Sequence, residues 1–390
     1  MASPTINSLH LIEDIDFEHG GVTRAVLDLT CALQNLGAST TLATPRELTD
    51  TELFSSSGEA PKLVGLHLDR RFKSQVSELV SQCDVVHIHA PWWLKNPSIV
   101  AAASRLHKPV VLSAHGMLND WSLAQKPWKK RLYRLFIADR MFKRCVIHCT
   151  AEEERRQVAK RISSAAMEVI PLVIDRCYFG GVVDPTAAME RWPSLAKADV
   201  TRLLFLGRLH PVKSPEIAIA ILEWLPNSTL TIAGTGEPAY VGSLKKLAEN
   251  IGVADRVRWL GMVGGDLKHS LMASCDLMVL PTQQENFGLA QVEALGCGLR
   301  LVTTKGTNNW RELQQCGAII ADRTVIAFVD AIVKGISNEV GRLERLATQR
   351  EKLKDWIAPD KIAMQYIEMY RRCAPKAANA SIPCEVASTV

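Results

Sequence analysis

The chain has no run approaching the roughly 18–20 consecutive apolar residues of a membrane-spanning helix, and its first residues lack the apolar core of a secretory leader. Together these absences predict a cytoplasmic protein. There are ten cysteines, yet no CxxC pair and no histidine partners at zinc spacing. That excludes a zinc module of the usual kind and reads as small, buried, reduced thiols. Charge of one sign is also missing: 46 Lys and Arg face 41 Asp and Glu, a net of +5 that alone argues for no partner. No nucleic-acid module surrounds the one basic run described below, so no nucleic acid is expected as a partner. What remains is an ordinary globular composition, 47% apolar and 22% charged, over 390 residues that suit two domains, each with its own core.

The most informative stretch is CDLMVLPTQQENFGLAQVEALGCGLRLVTT, residues 275–304. Residues 277–280 form a short apolar run closed by Pro281, which predicts a strand buried on both faces of a parallel sheet. The polar, turn-prone run 283–288 follows, then helical spacing from Leu289 to Leu295. Gly296 and Gly298 bracket the helix end, and 299–303 is the next strand. A helix start exposes unpaired backbone N–H groups and the positive end of the macrodipole. Phe287, Gly288 and Leu289 are placed to present them, and Gly288 lets a ligand approach the backbone. Glu285 and Glu293 lie eight residues apart, roughly 12 Å if the whole span were helical. That is about the reach for one carboxylate to hold a sugar and the other a ribose, with a diphosphate between. A capped helix with solvated acids explains either glutamate alone; the constellation points to a phosphorylated ligand.

Glu285-Asn286-Phe287-Gly288 with Glu293, flanked by LPT, VEAL and CG, resembles the E-x7-E motif of retaining glycosyltransferases of the GT-B fold, specifically family 4 (glycosyl transferases group 1). The resemblance covers about residues 5–373. It implies an α/β fold of two Rossmann-like domains facing a central cleft. Residues 1–175 would be the acceptor domain and 176–356 the nucleotide-sugar domain. A helix at 357–373 would cross back onto the first domain, and 374–390 is a tail.

Strand patterns at 5–12, 40–43, 63–68, 84–89, 110–114 and 146–150 alternate with helical stretches, so a right-handed parallel sheet is the economical topology. Gly20-Gly21 opens the first helix; the resemblance puts this pair beside the donor diphosphate. His87 and His89 alternate on a strand, with no third metal ligand evident in the sequence. His115, in SAHGML, sits at the carboxyl end of its strand, where such sheets hold ligands. The family has a histidine there, near the reacting sugar. HGML, Trp121 and the basic run after it further resemble a subset that assembles exopolysaccharide and lipopolysaccharide, although that subset often has Arg in place of His115.

The run 126–144 carries eight Lys and Arg interleaved with large apolar side chains and a single acid, Asp139. A solvated helical face and a segment docked on anionic lipid describe it equally well. Residues 175–198 lose regular pattern and are the expected linker. Gly207-Arg208-Leu209-His210-Pro211-Val212-Lys213 follows a strand at 201–206, and Arg208 with Lys213 can converge on one phosphate. The family pattern continues with Gly or Asn where this chain has Ser214. Strands follow at 230–233 and 257–260, and the resemblance assigns the Gly261-Met262 loop to the nucleotide base. Arg300 replaces the Pro of the family's CGxPVV, from which a loop adjustment is expected.

The expected activity is transfer of a sugar from a nucleotide-sugar donor to a carbohydrate or polyprenyl-diphosphate-linked acceptor, with retention, in cell-surface polysaccharide assembly. Arg208 and Lys213 would stand in for a metal, since no Asp-x-Asp pair is placed to hold one; neither metal nor cofactor is expected. His115, Arg208, Lys213 and Glu285 are the catalytic candidates. A sugar-nucleotide epimerase of the same fold and a silent membrane-surface subunit are the alternatives.

Overall fold

The computed structural model describes residues 5–15, 21–46, 60–119, 122, 139–162, 165–181, 183–196, 199–337 and 341–374. Its first sheet is formed by β1 (Asn7–Ile12), β2 (Ser39–Thr44), β3 (Lys62–Gly65), β4 (Val85–His89), β5 (Val110–Ser113), β6 (Val146–Cys149) and β7 (Ala166–Val169), in the order β3-β2-β1-β4-β5-β6-β7. Every pairing in it is parallel. The second sheet contains β8 (Thr201–Leu206), β9 (Ser228–Ala233), β10 (Val257–Gly261), β11 (Leu277–Leu280), β12 (Arg300–Thr303) and β13 (Ile319–Ile320), in the order β10-β9-β8-β11-β12-β13, again all parallel. The α/β expectation is met by both halves.

Parallel sheets need cover on both faces, and the strands are apolar accordingly. Leu277–Leu280 and Leu203–Phe205 are wholly buried. In the first sheet one face is aliphatic: Leu9, Leu11, Val86, Ile88, Leu112 and Ile147 share a core with the helices Phe72–Ser81 and Asn96–Arg105. The other face carries Ser8, His10, His87, His89, Ser113 and His148, all buried. Register explains the shared face: His10 lies opposite His87, and His89 is paired through Ser113 to His148. The helix Pro359–Cys373 covers this polar face, burying Ile362, Ala363, Tyr366, Ile367 and Tyr370. Tyr370 Oη lies 2.7 Å from His87 Nδ1, and Tyr366 Oη lies 3.0 Å from His148 Nε2.

Two strands carried too little pattern to be read. β7 is four residues interrupted by Glu168, and β13 is a two-residue sheet edge. The stretch expected as a bare linker contains the helix Thr186–Arg191 and buries Tyr178, Ala188 and Leu195. Ser270 Oγ accepts from the Ala188 amide at 2.9 Å. Isolated anchors of that kind leave no periodicity. Arg300 opens β12 in register with Leu277, after a turn in which Gly298 takes a left-handed φ of 70°.

Candidate active site

In the second sheet the chain steps outward from β8 to β10, then returns to build β11 to β13 on the other side. The crevice between β8 and β11, beyond their carboxyl ends, is where such a topology binds ligands. Gly207 and Arg208 follow β8; Glu285 follows β11. The ends of β8, β9 and β10 are three close-packed glycines. Gly234 donates its N–H to the Gly261 carbonyl at 2.7 Å, and a Cβ on Gly234 would lie 2.0 Å from the Gly207 oxygen. Met262, next along, is 48% exposed.

A single turn, Pro211–Lys213, is clamped onto the loop after β11. Val212's carbonyl accepts from the Gln283 amide at 2.7 Å and from Thr282 Oγ1 at 3.2 Å. The clamp sets Lys213 against Glu285 in an ion pair. Glu285 is itself fixed, its N–H donating to Gly306 O at 2.9 Å and its carbonyl accepting from the Asn308 amide at 3.1 Å. Burial, with Arg208 adding to it, pulls the Lys213 ammonium down to about 7. The touching Glu285 carboxylate opposes that pull, and we treat the pair as charged. Arg208 itself is exposed and lines a cavity of about 590 Å³ with His210, Thr235, Gly236, Glu237 and Tyr240. Ser214, the departure from the expected Gly or Asn, has a left-handed φ of 49°, the conformation Gly and Asn adopt most readily. Arg323 donates to its hydroxyl at 3.2 Å.

Gly288 caps the helix Leu289–Gly296 with φ 72°, and a Cβ there would lie 2.7 Å from Gln291 Oε1. Gln291 in turn holds Thr303 and Thr307, each at 3.1 Å. Phe287 is 2% exposed, its ring against Trp356, so its side chain anchors the loop from inside. Glu293 is 5% exposed and receives Lys268 Nζ on both oxygens, at 2.9 and 3.0 Å. Arg24 from the first helix is close enough for Glu293 to act on its charge, and itself pairs with Asp28 and Asp175. Burial pushes the Asp28 carboxyl up to about 7, with Arg24 opposing.

From the first sheet, Gly21 opens the helix Gly21–Asn35, and a Cβ on it would lie 3.0 Å from Leu289 Cδ1. Gly20 lies outside the described residues. His115 and Gly116 make the turn after β5, both left-handed, with φ 46° and 73°. A Cβ on Gly116 would lie 2.8 Å from Asn286 Cβ, so this turn and the Glu285–Asn286 loop face each other directly. Asn286 also bridges the cleft, its Nδ2 donating to Thr150 Oγ1 at 2.9 Å while its Oδ1 accepts from Asn308 at 3.1 Å. Burial pulls the His115 imidazole down to about 3. His87 and His89 are joined by a third histidine, His10 of β1; the ligating atoms of the three lie within 4.8 Å of one another.

Two family models match the chain: "Glycosyl transferases group 1" over residues 188–355 and "Glycosyltransferase Family 4" over residues 19–176. The chain belongs to glycosyltransferase family 4. Among curated relatives of this family 4 chain, the D-inositol 3-phosphate glycosyltransferase of Actinosynnema mirum is 29% identical over 236 residues, 56% of this chain and 55% of that protein. The protein of the same name from Mycolicibacterium smegmatis is 25% identical over 285 residues, 70% and 64% of the two chains. The match thus spans between about half and two thirds of these relatives' length. In fold, the chain is similar to HepE of Anabaena, solved with UDP and glucose, at TM-score 0.77 and 16% identity, covering 94% of this chain and all of that one. It is also similar to WaaG, a glycosyltransferase involved in lipopolysaccharide biosynthesis, at TM-score 0.68 and 17% identity, covering 94% and 99%. The fold is GT-B.

One residue that orders this cleft escaped sequence reasoning. Glu154 accepts from the Gly116 amide at 2.5 Å, the Thr150 amide at 2.6 Å and Thr150 Oγ1 at 2.9 Å. Through Thr150 this one buried carboxylate ties the turns after β5 and β6 to Asn286 across the cleft. Burial raises its pKa. Its only trace in the sequence is Glu152-Glu153-Glu154 at a helix start, which reads as ordinary dipole compensation. Trp121 and residues 126–138 of the basic run lie outside the described residues; Lys143 and Arg144, which end it, are exposed.

Proposed function

We propose that the chain transfers a sugar from a nucleoside-diphosphate sugar to a carbohydrate or polyprenyl-diphosphate-linked acceptor, with retention, in cell-surface polysaccharide assembly. The observation that carries this reading is the meeting of Arg208, the Lys213–Glu285 pair and the glycine-capped helix at the β8–β11 crevice, opposite the His115–Gly116 turn. Negative charge develops on the diphosphate as the glycosidic bond breaks, and fixed cations aimed at it lower that barrier. Arg208 and Lys213 supply them in place of a metal. Uracil as the base is supported by HepE, whose structures hold UDP and UDP-glucose. Gly261 and Met262 would border the base. Glu285 would hold hydroxyls of the transferred sugar once the diphosphate draws Lys213 away. Glu293 would hold the ribose after Lys268 yields one of its oxygens. The acceptor would enter from the first sheet beside His115, with the basic run 126–144 as a peripheral anchor on anionic membrane.

Calorimetric titration with UDP and UDP-glucose tests the assignment. Glu293→Ala is expected to weaken both ligands by about 1.5–3 kcal/mol. Glu285→Ala should leave UDP nearly unchanged and weaken only the sugar nucleotide. Equal loss of UDP affinity in the two variants would sink the division of labour. Donor incubated alone should yield no isomerised sugar; isomerisation would favour an epimerase.

A further inference from the structure

The polar face of the first sheet holds two separate hydrogen-bond chains. One runs Tyr370 Oη, His87 Nδ1, His87 Nε2, Ser113 Oγ, His148 Nδ1, His148 Nε2, Ile170 O, with each link at 2.7 Å. Its end is a carbonyl, which only accepts, so every hydrogen in it is assigned. His148 donates from Nε2, Ser113 donates to His148, His87 donates from Nε2 to Ser113, and Tyr370 donates to His87. Both nitrogens of His87 are thereby engaged, which leaves none for a metal shared with His10 and His89.

The second chain has no such anchor. It runs Ser8 Oγ, His10 Nε2, His10 Nδ1, His89 Nε2, His89 Nδ1, His115 Nε2, with links of 3.2, 3.0 and 3.2 Å. A hydroxyl both donates and accepts, so two arrangements satisfy every inner nitrogen. In one, all three rings carry hydrogen on the nitrogen that faces Ser8, and His115 Nδ1 is a bare acceptor. In the other, all three carry it on the nitrogen that faces the cleft, and His115 Nδ1 is a donor. Each arrangement holds one hydrogen per ring and one on Ser8, so the exchange takes up and releases nothing overall. Ser8, His10 and His89 are 3%, 0% and 1% exposed, so water does not compete for the inner links. His115 alone reaches the cleft, in the left-handed turn that faces Asn286.

We propose that Ser8, His10 and His89 are positioning residues that lock their tautomers to that of His115, so that His115 Nδ1 meets a substrate as donor or as acceptor. As an acceptor the nitrogen takes a hydrogen bond from a sugar hydroxyl; as a donor it meets a phosphate oxygen. This use of the nitrogen rests on the proposed function, while the locking of the three rings does not.

The test is nitrogen-15 NMR of the full chain labelled at histidine, which reports for each ring which nitrogen holds the hydrogen. His87 and His148 are expected as the Nε2–H form throughout. His10, His89 and His115 are expected to share one tautomer in every state, all Nε2–H or all Nδ1–H, because the Nε2 of each ring is the nitrogen that faces Ser8. Mismatched rings in the ligand-free protein would overturn the proposal. UDP-glucose should change the three together; a change at His115 that leaves His89 and His10 unmoved would also overturn it. UDP-glucose that fails to bind would count against the proposed function and leave the ligand-free result to decide the locking. Ser8→Ala, with unchanged His87 and His148 signals as the check of fold, should shift the tautomer ratio at His115 by severalfold, three links away. No shift there would refute the coupling. Zinc that perturbs His10, His87 and His89 together, releasing His87 from the Nε2–H form, would replace the relay with a metal site.

Discussion

In the second sheet the strands are largely aliphatic, with only small hydroxyls such as Thr229, Thr231 and Thr303 buried among them, and the charged groups of the candidate site stand in the loops beyond the strand ends, in Gly207–Lys213 and Gln283–Gly288. In the first sheet the strands themselves are polar on one face, from Ser8 and His10 across to His148, and the loop residues His115 and Thr150 are extensions of that interior. The two halves have similar topologies and opposite distributions of polarity. A site built on loops over an apolar sheet keeps its groups independent, whereas one that grows out of a buried network ties each group to the rest.

The sharpest test of that contrast is on the second sheet. Arg208→Ala and Lys213→Ala should each lower turnover by roughly 10²–10³, with thermal midpoints close to wild type because their loops carry little of the core. Near-wild-type turnover in both would mean that the cations face no developing charge. A matching collapse of stability would mean that the second site is as networked as the first.

Acid should separate the halves next. Burial holds His10, His87, His89, His115 and His148 well below the ordinary imidazole range. The unfolded chain protonates them below about pH 6.5, while the folded chain leaves them neutral until about 3 for His10 and His115 and about 4 for His148. Their cost is therefore nil above pH 6.5 and grows as pH falls, by about 1.4 kcal/mol per pH unit for each proton taken up on unfolding. Asp28, raised to about 7, acts in the opposite sense, its cost growing as pH rises toward 7. The histidines outnumber it. Denaturant melts between pH 7 and 5 should show stability falling steeply, with net proton uptake. Flat stability across that range would mean that the seam is hydrated.

How much of this was legible follows the same division. Arg208, Lys213, Glu285 and Glu293 lie in contiguous motifs whose spacing reports their geometry, because one strand–loop–helix unit positions each set. Ser8 and His10, His89, His115 and Glu154 come from four separate segments, and only the parallel register brings them together. His87 and His89 showed alternation, but the partner that completes the group, His10, is on a strand far away in sequence. The strands were readable wherever apolar residues ran unbroken, and were lost at β7 and β13, where an edge position asks for little.

Smaller effects refine the contrast. Glu154→Gln replaces an oxygen that accepts from backbone with an NH₂ group facing other donors, and should cost about 1–3 kcal/mol together with some turnover, since Asn286 is tied through Thr150. Gly288→Ala should cost about 1–2 kcal/mol for its left-handed backbone and displace Gln291; a thermal midpoint equal to wild type would show that the cap relaxes. The smallest effect expected is none: turnover should survive EDTA, because Arg208 and Lys213 carry the positive charge. Loss on chelation, restored by Mg²⁺ or Mn²⁺, would reassign that role.

The helix Pro359–Cys373 comes after the whole second sheet in chain order, yet it closes the polar face of the first. On the ribosome, chains emerge from the N-terminus and domains fold as they appear. The first sheet therefore has all its strands long before its lid exists, and its open face at that stage shows imidazole and hydroxyl groups beside Ile6, Val85 and Val111. Those groups hydrogen-bond to water and do not stick to neighbouring chains as bare leucine would. The row of histidines is thus better suited to waiting in water than an unbroken aliphatic face would be, until Tyr366 and Tyr370 arrive to cover it.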